Sequence, residues 1–240
     1  MLLDARNITM AFGAFKAVDD ASIAVNKGEI LGLIGPNGAG KSTFFNCLTG
    51  DLPVTTGAVH FAGTNVTSAP PEARARLGLA RTFQVPLTFE SMSVLDNATI
   101  GALLRHHNAR EARAKARDVL QRLGLGSVTD APARSLGTPG RKRLEIARAL
   151  ASEPKALLLD EAMAGLTPTE VREAIELVRR IHGDGITIVI VEHIMEVIVS
   201  LARKVVVFHQ GREISRGTPR EVTSDPKVIE AYLGRRKVRT

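Results

Sequence analysis

Cysteine is nearly absent. The chain holds one, Cys47, which excludes an internal disulfide framework and a cysteine-built zinc site. Tryptophan is missing, and aromatics make up 4% of the sequence: eight Phe and one Tyr. That scarcity argues against the stacking platforms used on single-stranded nucleic acid, and no nucleic-acid partner is expected. No apolar run reaches the roughly 18–20 residues of a membrane span. Met1 is not followed by a basic stretch and an apolar signal core, so a cytoplasmic chain is expected. What is present is ordinary for a folded protein. Apolar residues are 44% and charged residues 24%, close to the usual globular value of about 25% charged. The 240 residues allow one large domain or two small ones at roughly 150 residues each. Net charge is +7, and Arg235, Arg236, Lys237 and Arg239 crowd the last six positions. Such a cluster reads as a solvated tail in preference to a patch for nucleic acid or anionic membrane.

Short aliphatic runs at 29–34, 156–159 and 186–191 are bounded by Gly or charge. They read as strands buried on both faces of a parallel sheet. Between the last two, 168–181 has apolar positions at 171, 174, 175, 177, 178 and 181, a helical stripe. Thr167, Pro168 and Glu170 supply an N-cap, a first-turn proline and a capping box. The segment is therefore a βαβ crossover. Toward the chain start, 2–10, 21–25 and 58–61 read as short strands. Residues 205–208 and 212–215 read as a hairpin across Gln210 and Gly211. No strand is evident over 85–150, where Ser93 with Asp96 marks a helix start and 110–123 has one apolar face. The expectation is an α/β core from 1–84 and 151–240, with a helical insert at 85–150.

Gly35-Pro36-Asn37-Gly38-Ala39-Gly40-Lys41-Ser42, followed by Thr43, matches the phosphate-loop pattern G-x-x-x-x-G-K-[ST] between a strand and a helical stretch at 42–48, the context it needs. Glycines let the backbone fold into a cradle whose N–H groups face phosphate oxygens. The helix N-terminus adds partial positive charge. Lys41 reaches the β/γ-phosphates, and the Ser42 hydroxyl suits Mg²⁺. Far downstream, Asp160 and Glu161 end the strand 156–159. Strand C-termini of a parallel sheet face the ligand crevice. Asp160 suits the Mg²⁺ shell, and Glu161 can polarise water as a general base.

This motif order resembles the nucleotide-binding subunit of an ABC transporter, over about 3–233. The resemblance implies a P-loop NTPase core with a mainly parallel sheet, an antiparallel β subdomain and a helical insert. It implies ATP and Mg²⁺ as ligands. Phe12 resembles the aromatic that stacks on adenine. Gln84 resembles the glutamine that senses Mg²⁺ and γ-phosphate and faces the membrane partner. His193 resembles the switch histidine at the γ-phosphate, and 164–167 holds the loop that crosses the dimer interface. Further likeness, in Arg81-Thr-Phe-Gln84, 92–97, 143–150 and 228–233, is to the branched-chain amino-acid uptake ATPases. Those systems imply a head-to-tail ATPase dimer (self or a homologous subunit), two integral membrane permease subunits and an external binding protein. The chain would lie on the cytoplasmic face of the inner membrane. The reading is an importer ATPase for branched-chain or related amino acids. The alternatives are a soluble ABC-type ATPase acting on nucleic acid or ribosomes, which the short insert disfavours, and a weakly hydrolysing regulatory subunit.

One departure stands out. Where the family has Leu-Ser-x-Gly-Gln, this chain has Ser135-Leu136-Gly137-Thr138-Pro139-Gly140-Arg141. An ungapped register places Gly137 at the serine and Pro139 at the glycine, losing a hydroxyl and an N–H. A one-residue gap aligns Thr138 and Gly140 with them and is the preferred register. The residue after Glu161, often proline in the family, is Ala162.

Overall fold

The computed structural model describes residues 1–233; the basic cluster 235–239 lies outside them. Two sheets form. The first is antiparallel: β1 (Leu3–Phe12), β2 (Phe15–Val25), β4 (Thr56–Phe61) and the two-residue β5 (Thr64–Asn65), in the order β2-β1-β4-β5. The second has the order β10-β9-β3-β8-β7-β6, built from β3 (Ile30–Ile34), β6 (Leu79–Arg81), β7 (Ala156–Asp160), β8 (Thr187–Val191), β9 (Lys204–His209) and β10 (Arg212–Gly217). β3, β6, β7, β8 and β9 run parallel, and β10 returns antiparallel along the edge.

The central strands β3, β7 and β8 are buried at every position. Continuous aliphatic runs are what such strands require, because both faces are covered. Their residues divide by the strand's two-residue alternation. Leu31, Leu33, Leu158, Val189 and Val191 pack with α1 (Lys41–Thr49) and the antiparallel sheet in one core. Ile30, Ile34, Leu157, Leu159, Ile188 and Ile190 pack with helices in the other. That second core takes in α6 (Pro168–Gly183) and α7 (Met195–Leu201), together with the insert helices α3 (Val94–Ala102), α4 (Ala109–Arg122) and α5 (Thr138–Ala151).

The capping box expected at Thr167 and Glu170 is formed. Ser93 caps α3 by accepting from the Asp96 amide. β2 starts at Phe15, six residues before the expected strand. It is an edge strand, so it carries Lys16 and Asp20 exposed and Asp19 half-buried, and β-bulges break its alternation against β1. Four short elements left no periodic signal: α2 (Pro71–Leu77), the three-residue β6, α8 (Pro219–Ser224) and α9 (Pro226–Leu233). β6 is held as a strand by parallel pairing with β7, a contact invisible to local sequence.

Candidate functional site

The chemistry-bearing residues meet at the C-terminal ends of the parallel strands. β3 leads into the phosphate loop, β7 ends at Asp160, and β8 runs on to His193. The loop's shape is steric. Gly40 sits at φ +94, and a Cβ there would lie 2.3 Å from the Ala17 carbonyl oxygen. No other residue tolerates that approach. Gly40 also opens α1, with Lys41 its first residue. Lys41 is buried and donates to the Gly35 and Pro36 carbonyls at 2.7 and 3.0 Å. Burial lowers its pKa, against the opposing pull of Glu161 and Asp160.

A cleft of about 610 Å³ opens over this loop. Asn37, Gly38, Ala39, Gly40, Lys41, Ser42 and Thr43 form its floor, and Gln84, Glu161 and His193 close one side. Three segments more than thirty residues apart in sequence are thus joined. Glu161 is the hub. Gln84 Nε2 donates to Glu161 Oε2 at 2.7 Å, and His193 Nδ1 lies 3.8 Å from the same oxygen. Phe15 and Ala17 also line the cleft. Phe12 is not part of it: this ring is half exposed on the β1–β2 turn, the cross-strand partner of Phe15. A two-residue turn separates them, and the one that lines the cleft is Phe15, a residue in no motif.

Asp160 is buried. Arg81 Nη2 donates to its Oδ2 at 3.2 Å, while Oδ1 is buried with no partner. Burial raises its pKa, with Arg81 opposing. Lys142, from α5, donates to the Glu161 carbonyl at 3.1 Å, and buried Glu192 accepts from the Met163 amide at 2.9 Å. Burial lowers the pKa of Lys142 and raises that of Glu192. No chemistry was expected of Arg81, which opens the Arg81-Thr-Phe-Gln84 run, or of Lys142 and Glu192; only the fold brings them to the site.

Thr138 and Gly140 lie elsewhere, in the first turn of α5. Gly137 is the N-cap, and no side chain caps this end. The Arg141 amide already bonds the Gly137 carbonyl. The amides of Thr138 and Gly140 precede the first intrahelical bond, and Pro139 between them brings none. Gly137 and Thr138 are exposed. This helix end lies outside the cleft of its own chain.

A phosphate cradle, a buried carboxylate at one strand end and a carboxylate–histidine pair at its mouth define a nucleotide-hydrolysing site. Comparison with known proteins identifies the class. The family model described as ABC transporter matches residues 18–164, more than half of the chain. This chain belongs to the ABC transporter ATPases and is an ATP-binding, ATP-hydrolysing subunit of that class. The particular branch follows from a second model, described as branched-chain amino acid ATP-binding cassette transporter, which matches 212–238. The relatives agree. The chain is 36% identical over 249 residues to the high-affinity branched-chain amino acid transport ATP-binding protein LivG of Salmonella typhimurium, covering 97% of this chain and 98% of that one. It is 34% identical to BraF of Pseudomonas aeruginosa with the same coverage. Among solved structures, a nucleotide-free ATP-binding cassette from an ABC transporter superposes with a TM-score of 0.89 at 34% identity, over 98% of this chain and 99% of that one. The ADP conformation of such a cassette gives 0.88 at 34%, with the same coverage.

Magnesium, which ATP hydrolysis in this class implies, fits the residues present. Ser42, Gln84 and the unpartnered Asp160 Oδ1 are hard oxygen donors with a single carboxylate. Mg²⁺ favours such a set, since phosphates and water complete its shell. No cluster of three His, Cys, Asp or Glu occurs among the described residues.

Proposed function

We propose that this chain powers an importer of branched-chain or related amino acids by hydrolysing ATP in the cleft where Lys41, Ser42, Gln84, Glu161 and His193 converge. That convergence carries the reading, and the LivG and BraF relatives supply the substrate class. The backbone amides of 37–43 cradle the β- and γ-phosphates, and Lys41 adds its charge. Ser42, Gln84 and Asp160 hold the magnesium shell. When bound, the ion neutralises charge developing on the phosphates. Glu161 takes the proton from the attacking water, and His193 orients beside it on the γ-phosphate side. The adenine packs against the β1–β2 turn, where Phe15 walls the cleft and Phe12 stands one cross-strand position away.

The site is completed in trans. A second ATPase subunit, either another copy or a homologue, brings the α5 end with Thr138 and Gly140 to the γ-phosphate across a head-to-tail dimer. Two permease subunits lie on the membrane side, with the chain peripheral on the cytoplasmic face. An external binding protein supplies the substrate. The surface after Gln84 suits the permease. Val85, Leu87 and Phe89 are all exposed. Their backbone is pinned to the insert, because Glu145 of α5 accepts from the Phe83 and Leu87 amides, each at 3.2 Å. A segment that contacts both Glu161 and a partner couples the two when closure has discrete states.

The test is purification of the tagged chain from membranes of its own host, followed by crosslinking. Two apolar permease chains should co-purify, and cysteines placed at 85–89 should crosslink to permease loops. Purification without such chains, or crosslinks formed only from residues 57–67, would overturn the transporter reading.

A further inference from the structure

Arg81 precedes Gln84 in the chain and has no part in the phosphate chemistry above. Its side chain is 9% exposed and lies between two carboxylates. One face of the guanidinium is bound to the C-terminal end of α1. Nη1 donates to Asn46 Oδ1 at 2.7 Å, Thr49 Oγ1 at 3.1 Å and Asp51 Oδ2 at 2.8 Å. The other amino group, Nη2, donates to Asp160 Oδ2 at 3.2 Å. The guanidinium carbon stacks 4.3 Å from the Phe83 ring centroid, which fixes the plane. β6 supplies the backbone support: Arg81 pairs with Leu158 of β7, and Asp160's own amide donates to Thr82 Oγ1 at 3.3 Å.

The consequence is geometric. An aspartate has two equivalent oxygens and a χ2 torsion that is broad when nothing fixes it. Here Oδ2 is occupied, and Oδ1 is the oxygen left without a partner. A second protein oxygen assigned to the metal beside that of Gln84, the Ser42 hydroxyl, is in the first turn of α1, while Arg81 grips the last turn of the same helix. α1 is a nine-residue rod buried in the core, so both ends move together.

We propose that Arg81 is a positioning residue for the magnesium shell: it ties Asp160 to the far end of the phosphate-loop helix, so that Asp160 Oδ1 and Ser42 are presented as one rigid pair. Lysine would serve only in part. It lacks the planar fork that spans Asp51 and Asp160 at once. The inference rests on the reading of Asp160 as a ligand in that shell. Partners of this kind, one bond away from a ligand, are typically worth about 10–100-fold in metal affinity.

The experiment uses the full chain carrying Glu161→Gln, so that bound ATP persists. ATP affinity is measured by fluorescence competition, first in EDTA and then across a Mg²⁺ titration. Arg81→Met should raise the half-saturating Mg²⁺ concentration about 10–100-fold while leaving ATP affinity in EDTA unchanged. Arg81→Lys should fall between it and the parent. Asp51→Asn, remote from the cleft, should shift the midpoint in the same direction by less. Asp160→Asn should abolish the gain from Mg²⁺. An unshifted midpoint in Arg81→Met, with Asp160→Asn losing its response, overturns the role of Arg81 and leaves the ligand reading standing. A normal Mg²⁺ response in Asp160→Asn overturns the ligand reading itself. A parallel loss in EDTA and in Mg²⁺ would make Arg81 a structural tie only. Should Arg81→Met fail to fold, Asn46→Ala with Asp51→Asn loosens the same grip. An unchanged Mg²⁺ midpoint there is equally fatal to the proposal.

Discussion

Glu161 holds a left-handed backbone, with φ +47. For a residue other than glycine this conformation costs on the order of 1–3 kcal/mol and persists only where the surroundings enforce it. The enforcement is visible. The Glu161 amide donates to the Val191 carbonyl at 2.9 Å, and Lys142 grips the Glu161 carbonyl. The strained turn delivers the carboxylate to the cleft beside Gln84 and His193. Glu161→Gln is therefore expected to bind ATP normally and to lower turnover by about 10²–10⁴-fold, the worth of a positioned general base. Single-turnover hydrolysis at the parent rate would remove Glu161 from that role. Lys41→Ala should fail at an earlier stage, weakening ATP binding itself, because the point charge against the β/γ-phosphates is lost. Calorimetry showing unchanged affinity would contradict it. At this scale the sequence was readable where a residue belongs to a spaced motif. Phe12 shows the limit: a two-residue turn decides which of two rings faces the cleft, and spacing carries no such information.

Among the elements, α1 is the one on which the site depends. Its C-terminal carbonyls are held by Arg74 of α2. The buried guanidinium donates to the Cys47 and Leu48 carbonyls at 2.7 Å each, and further to Thr67 and Ala69. The bonds satisfy acceptors that a buried helix end otherwise leaves orphaned. The arrangement predicts that Arg74→Met lowers unfolding stability by about 2–4 kcal/mol, the usual cost of stranding several buried acceptors. Cys47 reports on it directly. Burial pushes its thiol pKa up to about 11, and the side chain has no exposure. In the parent chain it should resist alkylation at neutral pH until global unfolding. In Arg74→Met it should react through local opening of α1. Equal labelling rates in both chains would show that α1 is held without Arg74. No periodicity marks α2 in the sequence, because its seven residues, about two turns, fall short of the roughly 11–18-residue window in which a helical period is read.

At the scale of the whole molecule, the rate of hydrolysis depends on the trans contact made by the α5 end. The structure makes Gly137 an N-cap and places Thr138, Pro139 and Gly140 on the first turn of α5. An end of this kind offers amides to an anion, here with one missing at Pro139. If Thr138 and the Gly140 amide serve the partner's γ-phosphate, a self-dimer hydrolyses ATP normally and Thr138→Ala reduces the rate by roughly 10²-fold, the cost of one preorganised donor. If the ungapped register holds, Thr138→Ala is nearly silent and Gly137→Ser with Pro139→Gly raises the rate. Steady-state ATPase assays of the three proteins separate the cases. Full activity in Thr138→Ala from an already fast self-dimer would contradict both registers.

The sequence by itself determined the phosphate loop, the buried parallel strands, the capped crossover helix and the hairpin at the end of the sheet. Each is a local statement: a steric need for glycine, a run of aliphatics, a side chain able to cap the amides three residues away. It also determined which carboxylates end which strand. The tertiary structure alone decided that Gln84 and His193 meet on one oxygen of Glu161, that Arg81 spans Asp51 and Asp160, and that Lys142 reaches the Glu161 turn. Those contacts join residues 19 to 79 positions apart. They exist because parallel strands bring their C-terminal ends to one edge of the sheet, whatever the length of chain that runs between them.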